Sequence, residues 1–378
     1  MVCMENLISD VFFFFKGRVA LYALLKAIGI HTGDEVILPG FTCVVVPNAI
    51  IYLGGKPVYV DIGPKTFNID TSKIESKITG KTTAIIAQNT FGLSSDLDPI
   101  LDIAKRYNLK VIEDCAHGYG GSYKGKTNGT VADAAFFSTQ WSKPFSTGLG
   151  GIAVTNTNNP EIASKLRIES DSYPYPDIKE RLVLWMLLQG YDFMMKPAIY
   201  WPAIKTYRFL SKVGLVTGSS SGDELISPVK PDGFEKRMAK FQQKRAKLEM
   251  ESFEENLKHR LWAAKRYDEI FNMLGLEKPY RPGYALHTFL RYAFLVTDKQ
   301  RFLRKAEENR IEVGDWFLSP LHPIEKDLLP WGYKKGMCPV AESICERIVN
   351  LPTHKRIHDK YITRLENFLE KMKVQRVL

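Results

Sequence analysis

The side chains most capable of chemistry follow two apolar runs in the first half of the chain. One run, Val111-Ile112-Glu113-Asp114, ends in an acid, and the other, Phe136-Phe137-Ser138, ends in a serine. Lys143 follows that serine, and a glycine turn, Gly148-Leu149-Gly150-Gly151, follows the lysine. A lysine amine can hold an aldehyde cofactor, a buried acid can keep a pyridine nitrogen protonated, and hydroxyl and backbone N–H groups can bind a phosphate. The combination predicts a site for pyridoxal phosphate (PLP).

Composition limits the kind of molecule that this protein can be. The chain has 378 residues, of which 45% are hydrophobic, which is enough for a large domain and a smaller one. A formal net charge of +10 suits an anionic partner. However, there is no arginine-rich arm, zinc-finger spacing or RNA-binding motif. We therefore expect a phosphate-bearing small molecule rather than a nucleic acid.

The cysteines and the apolar runs bear on metal binding and location. The five cysteines are scattered and form no C-x-x-C pair, which argues against a disulfide framework and a zinc site. No run approaches the roughly 20 apolar residues that span a bilayer. The short run Phe12–Phe15 is followed by Lys16 and Arg18 rather than by a signal-peptide cleavage site. We expect a cytoplasmic protein without a metal.

Short apolar strands alternate with helices from Gly17 to Thr155. The predicted strands cover residues 35–38, 58–60, 83–87, 110–112, 133–138 and 152–155. This pattern predicts an α/β fold whose mainly parallel sheet is covered by helices on both faces. A different pattern follows, with predicted helices at 240–273, 299–309, 341–349 and 360–372 and strands at 288–296 and near 311–313. We interpret residues 1–239 as a large cofactor-binding domain and 240–378 as a smaller C-terminal α+β domain.

Residues 167–232 interrupt the alternation and form an atypical insertion in the large domain. The segment mixes prolines and aromatic residues, including Trp185 and Trp201, with lysines and arginines. We predict an added lid or interface element. Contact with a membrane surface is the less favoured alternative, because an interfacial helix has a similar composition.

Several longer stretches of the chain follow the pattern of one enzyme family. These stretches are Gly33–Thr42, Pro47–Ile50, Gly55–Ile62, Phe67–Asp70, Ile112–His117, Asp133–Gly151, Pro320–His322 and Asn350–His354. On these residues the chain resembles the DegT–DnrJ–StrS group of nucleotide-sugar aminotransferases, which are PLP enzymes of fold type I. The resemblance covers nearly the whole chain except residues 167–232.

The resemblance implies a role for each of the residues that drew attention first. Lys143 is the lysine that holds PLP as a Schiff base, and Asp114 is the partner of its pyridine nitrogen. Ser138 is a phosphate ligand. His117 stands where it would contact the phenolic oxygen of the cofactor.

Three further parts of the implied cofactor site depart from the family pattern. Gly17-Arg18-Val19 matches a turn whose backbone amides hold the phosphate, but arginine replaces threonine, so the guanidinium either binds the phosphate or points to solvent. Cys43 stands where an aromatic residue often stacks on the ring. Arg237 follows Glu235 in a segment that reaches the neighbouring subunit's phosphate in relatives, where an asparagine replaces the glutamate. The resemblance therefore implies a homodimer with shared active sites.

The implied reaction is the transfer of an amino group by a ping-pong mechanism. The donor is an amino acid, glutamate by resemblance, and the acceptor is a nucleotide-linked keto-sugar. Two alternatives are a PLP-dependent sugar dehydratase, in which histidine replaces the lysine, and a PLP-binding regulatory protein without catalysis. Lys143 argues against the first alternative, and its presence together with Asp114 and Ser138 argues against the second.

Overall fold

The computed structural model describes residues 8–194 and 223–378. Its strands are β1 (Ile8–Phe14), β2 (Glu35–Pro39), β3 (Thr42–Cys43), β4 (Lys56–Val60), β5 (Thr82–Gln88), β6 (Lys110–Asp114), β7 (Ser122–Tyr123), β8 (Lys126–Thr127), β9 (Ala134–Ser138), β10 (Gly151–Asn156), β11 (Ala285–Leu286), β12 (Arg291–Leu295), β13 (Leu321–His322) and β14 (Ile348–Pro352). Its α-helices are α1 (Gly17–Ile28), α2 (Val45–Ile51), α3 (Leu97–Tyr107), α4 (Pro160–Ser172), α5 (Ile178–Met194), α6 (Lys240–Glu251), α7 (Phe253–Leu274), α8 (Lys299–Glu308), α9 (Pro339–Cys345) and α10 (Asp359–Val374).

A seven-stranded sheet in the order β1-β10-β9-β6-β5-β2-β4 forms the centre of the large domain. The pairs β2–β4, β2–β5, β5–β6 and β6–β9 are parallel, whereas β10 runs antiparallel to both β9 and β1. The predicted α/β fold with a mainly parallel sheet is therefore confirmed. Because parallel strands end at the same edge, Asp114 at the end of β6 and Ser138 at the end of β9 come to one side of the sheet.

Both faces of the sheet are covered, as continuous apolar strands require. On one face, α1 and α2 join the strands in the largest apolar cluster, with Leu21, Leu24 and Ala49 fully buried. On the other face, α3 contributes Ile100 and Ile103 to a separate cluster. The aromatic run near the N-terminus is the edge strand β1, which the sequence analysis did not predict.

The C-terminal part differs from the prediction in three places. The helix predicted over 240–273 is two helices that meet at Ser252. The helix predicted over 341–349 is wrong beyond Cys345, because Ile348–Pro352 pairs as a buried strand with β12. Residues near 311–313 form no regular strand, and only Gly314 bridges to Asn350. In the last two cases, tertiary pairing decides the state of segments whose local pattern is ambiguous.

The division at residue 239 stays a prediction. One apolar cluster contains residues from Ala263 to Val377 and includes parts of α7, α8, α10, β12 and β14. However, residues of α9 and its preceding loop, among them Trp331 and Ala341, pack into the cluster that contains α1. The second half of the chain therefore contributes to two cores.

Part of the predicted insertion lies in the described residues. Helix α4 passes through Arg167 and packs on α1, so regular structure continues past the start of the predicted insertion. Helix α5 buries Leu184 and Leu188 but leaves Trp185 half exposed. Trp201 lies outside the described residues, and the choice between a lid and a membrane contact stays a prediction. Within residues 8–194 and 223–378, no helix combines the length and apolar character needed to cross a bilayer.

Candidate active site

Lys143 and His117 lie in direct contact at the carboxyl edge of the sheet. Lys143 belongs to the loop after β9, and His117 follows the end of β6 by three residues. Their Nζ and Nε2 atoms are 3.0 Å apart. Burial lowers the pKa of Lys143 from 10.5, opposed by Cys43 and Asp114 and reinforced by nearby arginines. The lysine is thereby shifted toward the free amine, which is the nucleophilic form.

Asp114 and its neighbour Glu113 serve different purposes because successive strand residues point to opposite faces. Glu113 is buried and accepts hydrogen bonds from the backbone N–H groups of Gly129, Val131 and Ala132, so it anchors a loop. Asp114 accepts one from Ala116 at 3.0 Å. Burial raises the pKa of Asp114 to about 6, against the effects of the Ala116 N–H and Lys143. A buried carboxylate of this kind gains much from a cationic N–H partner.

The start of α1 lies against Ser138. A methyl group added to Gly17 would lie 2.9 Å from the Ser138 Cβ. Only glycine at position 17 therefore allows the backbone to approach Ser138 this closely. The first N–H groups of a helix have no partner within it and attract anions. Val19 donates to the carbonyl of Lys16, which leaves Gly17 and Arg18 as the leading amides of the turn. Gly17 and Ser138, two of the predicted phosphate ligands, therefore lie close together, whereas the Val19 N–H is already bonded.

Arg18 is buried rather than exposed, so the alternative in which it points to solvent is wrong. Its guanidinium forms an ion pair of 2.5 Å with Glu224, and both side chains are almost fully buried. Burial and the charge of Arg18 lower the pKa of nearby Lys16 to about 8. Glu224 escaped the sequence analysis, because it lies far along the chain and follows no motif.

Cys43 belongs to the surroundings of the candidate lysine, because an ionised thiol there would raise the pKa of Lys143. It ends strand β3, which pairs with β13 so that Cys43 stands opposite His322. Burial lowers the pKa of His322 to about 4, with Asp315 opposing and Lys143 reinforcing this shift. His322 therefore joins the site as a neutral ring.

Two residues that the sequence analysis did not single out also border the site. The ring of Trp316 stacks on His117 with centroids 5.2 Å apart and planes 8° apart. The guanidinium of Arg291 and the Nζ of Lys143 each lie 5.3 Å from the centroid of the Trp316 ring. Both residues come from the second half of the chain, where no local pattern marks them.

The structure does not bring Arg237 to these residues within one chain. Its side chain pairs with Asp171 at 3.0 Å and lies over the ring of Tyr175. Glu235 pairs with Lys230 at 3.1 Å, so its charge is balanced by a residue that the sequence analysis had not considered. The predicted contact between this segment and a neighbouring subunit stays a prediction.

Comparison with known proteins assigns the chain to a family. Residues 14–370 match the DegT/DnrJ/EryC1/StrS aminotransferase family over nearly the full chain. The chain belongs to this family. The predicted resemblance is therefore confirmed, and the residues around Lys143 are the candidate active site of a family member.

Individual members of the DegT/DnrJ/EryC1/StrS family differ in how much of the chain they match. An uncharacterised protein of Methanocaldococcus jannaschii is 31% identical over 360 residues, covering 93% of this chain and 83% of that protein. GDP-perosamine synthase of Caulobacter vibrioides is 39% identical over 180 residues, or 48% of this chain. The chain spans about half the length of that enzyme, 47%.

Solved structures support the fold. A putative sugar aminotransferase of Streptococcus pneumoniae, in its PMP form, has a TM-score of 0.76 and 20% sequence identity. The match covers 98% of this chain and 89% of that one. At this identity, the comparison supports the fold type I architecture but does not identify the substrate.

The residues of this family member fit PLP. Lys143 supplies an amine that burial shifts toward its free form, and Asp114 supplies a buried carboxylate. Gly17 and Ser138 approach closely at a helix start, where a phosphate finds backbone N–H donors and a hydroxyl. Lys143 would hold the aldehyde, Asp114 the pyridine nitrogen, and Ser138 with the first turn of α1 the phosphate.

Proposed function

We propose that this protein is a PLP-dependent aminotransferase that moves an amino group from an amino acid, glutamate first among them, to a nucleotide-linked keto-sugar. The observation that carries the proposal is the contact between the Lys143 amine and His117 at the sheet edge where Asp114 ends β6. Family membership supports the reaction class. The name of the relative GDP-perosamine synthase supports a sugar on a nucleotide.

The residues around Lys143 are suited to moving a proton between two carbons. Bound PLP would supply an electron-withdrawing ring that stabilises negative charge at the donor carbon. Asp114 would keep the pyridine nitrogen protonated as the partner of its N–H. The Nζ of Lys143 would act as the base that takes the proton from the donor carbon and as the acid that delivers it to the second carbon.

The surrounding side chains hold these groups in position. His117 orients the Lys143 amine through its Nε2 atom. Trp316 covers the His117 ring and lies over Lys143, which limits the access of water on that side. The 52 lysines and arginines outnumber the 42 aspartates and glutamates, and this positive balance suits a substrate that carries a diphosphate.

The alternatives lose support from the same residues. A dehydratase of this fold carries histidine in place of the catalytic lysine, whereas this chain has Lys143 next to a separate histidine, His117. A protein that binds PLP without catalysis needs no free amine beside the cofactor. We therefore favour the aminotransferase over the dehydratase and the regulatory protein.

A spectroscopic experiment tests the function. Purified protein loaded with PLP should show the absorbance of lysine-bound cofactor, and L-glutamate should shift that absorbance in one turnover. Keto-sugars linked to GDP, UDP or TDP should then restore the original spectrum. A Lys143→Ala control should bind PLP without the shift. A spectrum that no amino acid changes would count against the aminotransferase.

We also propose a homodimer in which the Arg237 segment completes the partner's site. Arg237 is held by Asp171 in its own chain but remains partly exposed, so it can meet an anion across an interface. Mixing Lys143→Ala subunits with Arg237→Ala subunits should restore activity in hybrids if each site uses residues of both chains. An active monomer in sedimentation would disprove shared sites.

A further inference from the structure

Arg291 lies at the first position of β12 and faces the same indole ring as the candidate lysine. Its guanidinium is 5.3 Å from the Trp316 centroid, and the Lys143 Nζ lies at the same distance. On that ring, His117 stacks with an interplanar angle of 8°. Trp316 therefore connects Arg291, a residue from the second half of the chain, to the two residues at the centre of the site.

The fold leaves the charge of Arg291 available. Among residues 8–194 and 223–378, no carboxylate forms an ion pair with it. Burial raises the pKa of Glu312. The opposing effects of His354, Arg356 and, to a smaller extent, Arg291 bring this pKa down to about 2. Glu312 is already bonded to His354 at 2.9 Å and to Arg356 at 3.5 Å. Arg291 is therefore not required as the counter-ion of that acid.

Stacking on an indole also leaves the hydrogen-bonding edge of a guanidinium free. The contact with an aromatic ring uses the flat face of the group, while its N–H donors point outward in one plane. Arg291 is only partly buried. Two parallel N–H donors match the two oxygens of a carboxylate or a phosphate.

We propose that Arg291 binds an anionic group of the substrate beside Lys143. Two substrates bring such a group to an aminotransferase of this kind: the amino-acid donor brings carboxylates, and the nucleotide-linked sugar brings a diphosphate. The inference rests on the proposed function for its substrates. It adds a substrate-binding residue that the family motifs in this chain do not mark.

Binding of unreactive probes tests the role of Arg291. Glutarate carries the two carboxylates of glutamate without an amine, and UDP and GDP carry the diphosphate without a sugar. Their dissociation constants are measured by calorimetry on the PLP-loaded wild type, Arg291→Gln and Arg291→Lys. We expect Arg291→Gln to weaken one class of probe by about 10-fold or more, the scale of a lost charge-assisted pair, and Arg291→Lys to recover part of the loss.

The matched control is Arg281→Gln. Arg281 also lies over an aromatic ring, that of Phe289, but pairs with Asp268 at 2.6 Å. This control should bind every probe as the wild type does, and all variants should retain PLP affinity and melting temperature. Weakened glutarate binding assigns Arg291 to the donor, and weakened UDP or GDP binding assigns it to the acceptor.

Unchanged binding of all probes in Arg291→Gln, or a wild type that binds none of them, would overturn the inference. These outcomes do not depend on turnover, so they are separate from a failure of the proposed function. That failure would appear as a wild type that binds the probes but transfers no amino group.

Discussion

The Nζ of Lys143 lies 3.0 Å from Nε2 of His117, while Nδ1 of the same ring accepts a hydrogen bond from the Phe91 N–H. Burial, reinforced by the positive charge of Arg291, keeps the pKa of His117 well below its usual value, so the ring is neutral. A neutral imidazole has one N–H, which must then lie on Nε2. The Nε2–H of His117 can donate a hydrogen bond to the Lys143 amine only if that amine is uncharged and has a free lone pair. The pair therefore favours Lys143 as a free nucleophile.

His117→Phe should raise the pKa of Lys143, because it keeps a ring against Trp316 but removes the N–H that favours the free amine. PLP should form its Schiff base with Lys143 about 10-fold more slowly at pH 8, as measured by trapping the product with borohydride, and the rate should recover at higher pH. Peptide mapping after reduction follows the labelled lysine. His31→Phe, on the exposed surface, is the control. An unchanged pH profile would contradict the tautomer described above.

Asp114→Asn should stabilise the cofactor-free protein and inactivate the enzyme. Burial raises the pKa of Asp114 from 3.8 to about 6. The folded state thus keeps a proton that the unfolded state has released, so this contribution to stability is present below pH 3.8 and lost as the pH rises to about 6. Above pH 6, the variant should be more stable by up to roughly 3 kcal/mol.

Denaturation of the cofactor-free Asp114 variant and wild type at pH 4 to 8 measures this difference. Turnover of the variant should fall by orders of magnitude, because no charge holds the pyridine proton. Asp133→Asn is the matched control, since Asp133 accepts a hydrogen bond from the Val111 N–H and should lose stability instead. Near-normal turnover of Asp114→Asn would mean that another acid serves the cofactor.

Glu224→Gln and Arg18→Gln should each destabilise the protein by about 3 kcal/mol, because each removes one charge of a buried ion pair. The double variant should lose much less than the sum, since both charges disappear together. Chemical denaturation of the four proteins measures the coupling. Lys56→Gln, which breaks a pair with Glu35 that is exposed on the lysine side, should cost less. Additive losses would show that the buried pair contributes no coupling energy.

Gly17→Ala should weaken PLP binding by about 10-fold or more, because its methyl group would push the start of α1 away from Ser138. Ser138→Ala should weaken it to a similar degree by removing a hydroxyl. Titration of PLP by absorbance measures both. Gly283→Ala is the control, since no atom lies within 4 Å of its added methyl group. Normal PLP affinity in Gly17→Ala would place the phosphate elsewhere.

The sequence by itself determined the parallel sheet and the chemistry at its edge. Continuous apolar strands separated by helices require a sheet that is buried on both faces, and parallel strands end on one side. Asp114 and Ser138 end such strands and Lys143 follows the second of them, so all three come to the same edge of the sheet. His117 lies three residues after Asp114 and comes with it.

Only the tertiary structure decided the partners that come from distant segments. Glu224 beside Arg18, and Arg291 and Trp316 beside His117, have no fixed spacing from the residues that they contact. The strand Ile348–Pro352 likewise depends on its pairing with β12. A local pattern records the period and burial of a segment, whereas the identity of a contact depends on how whole elements pack together.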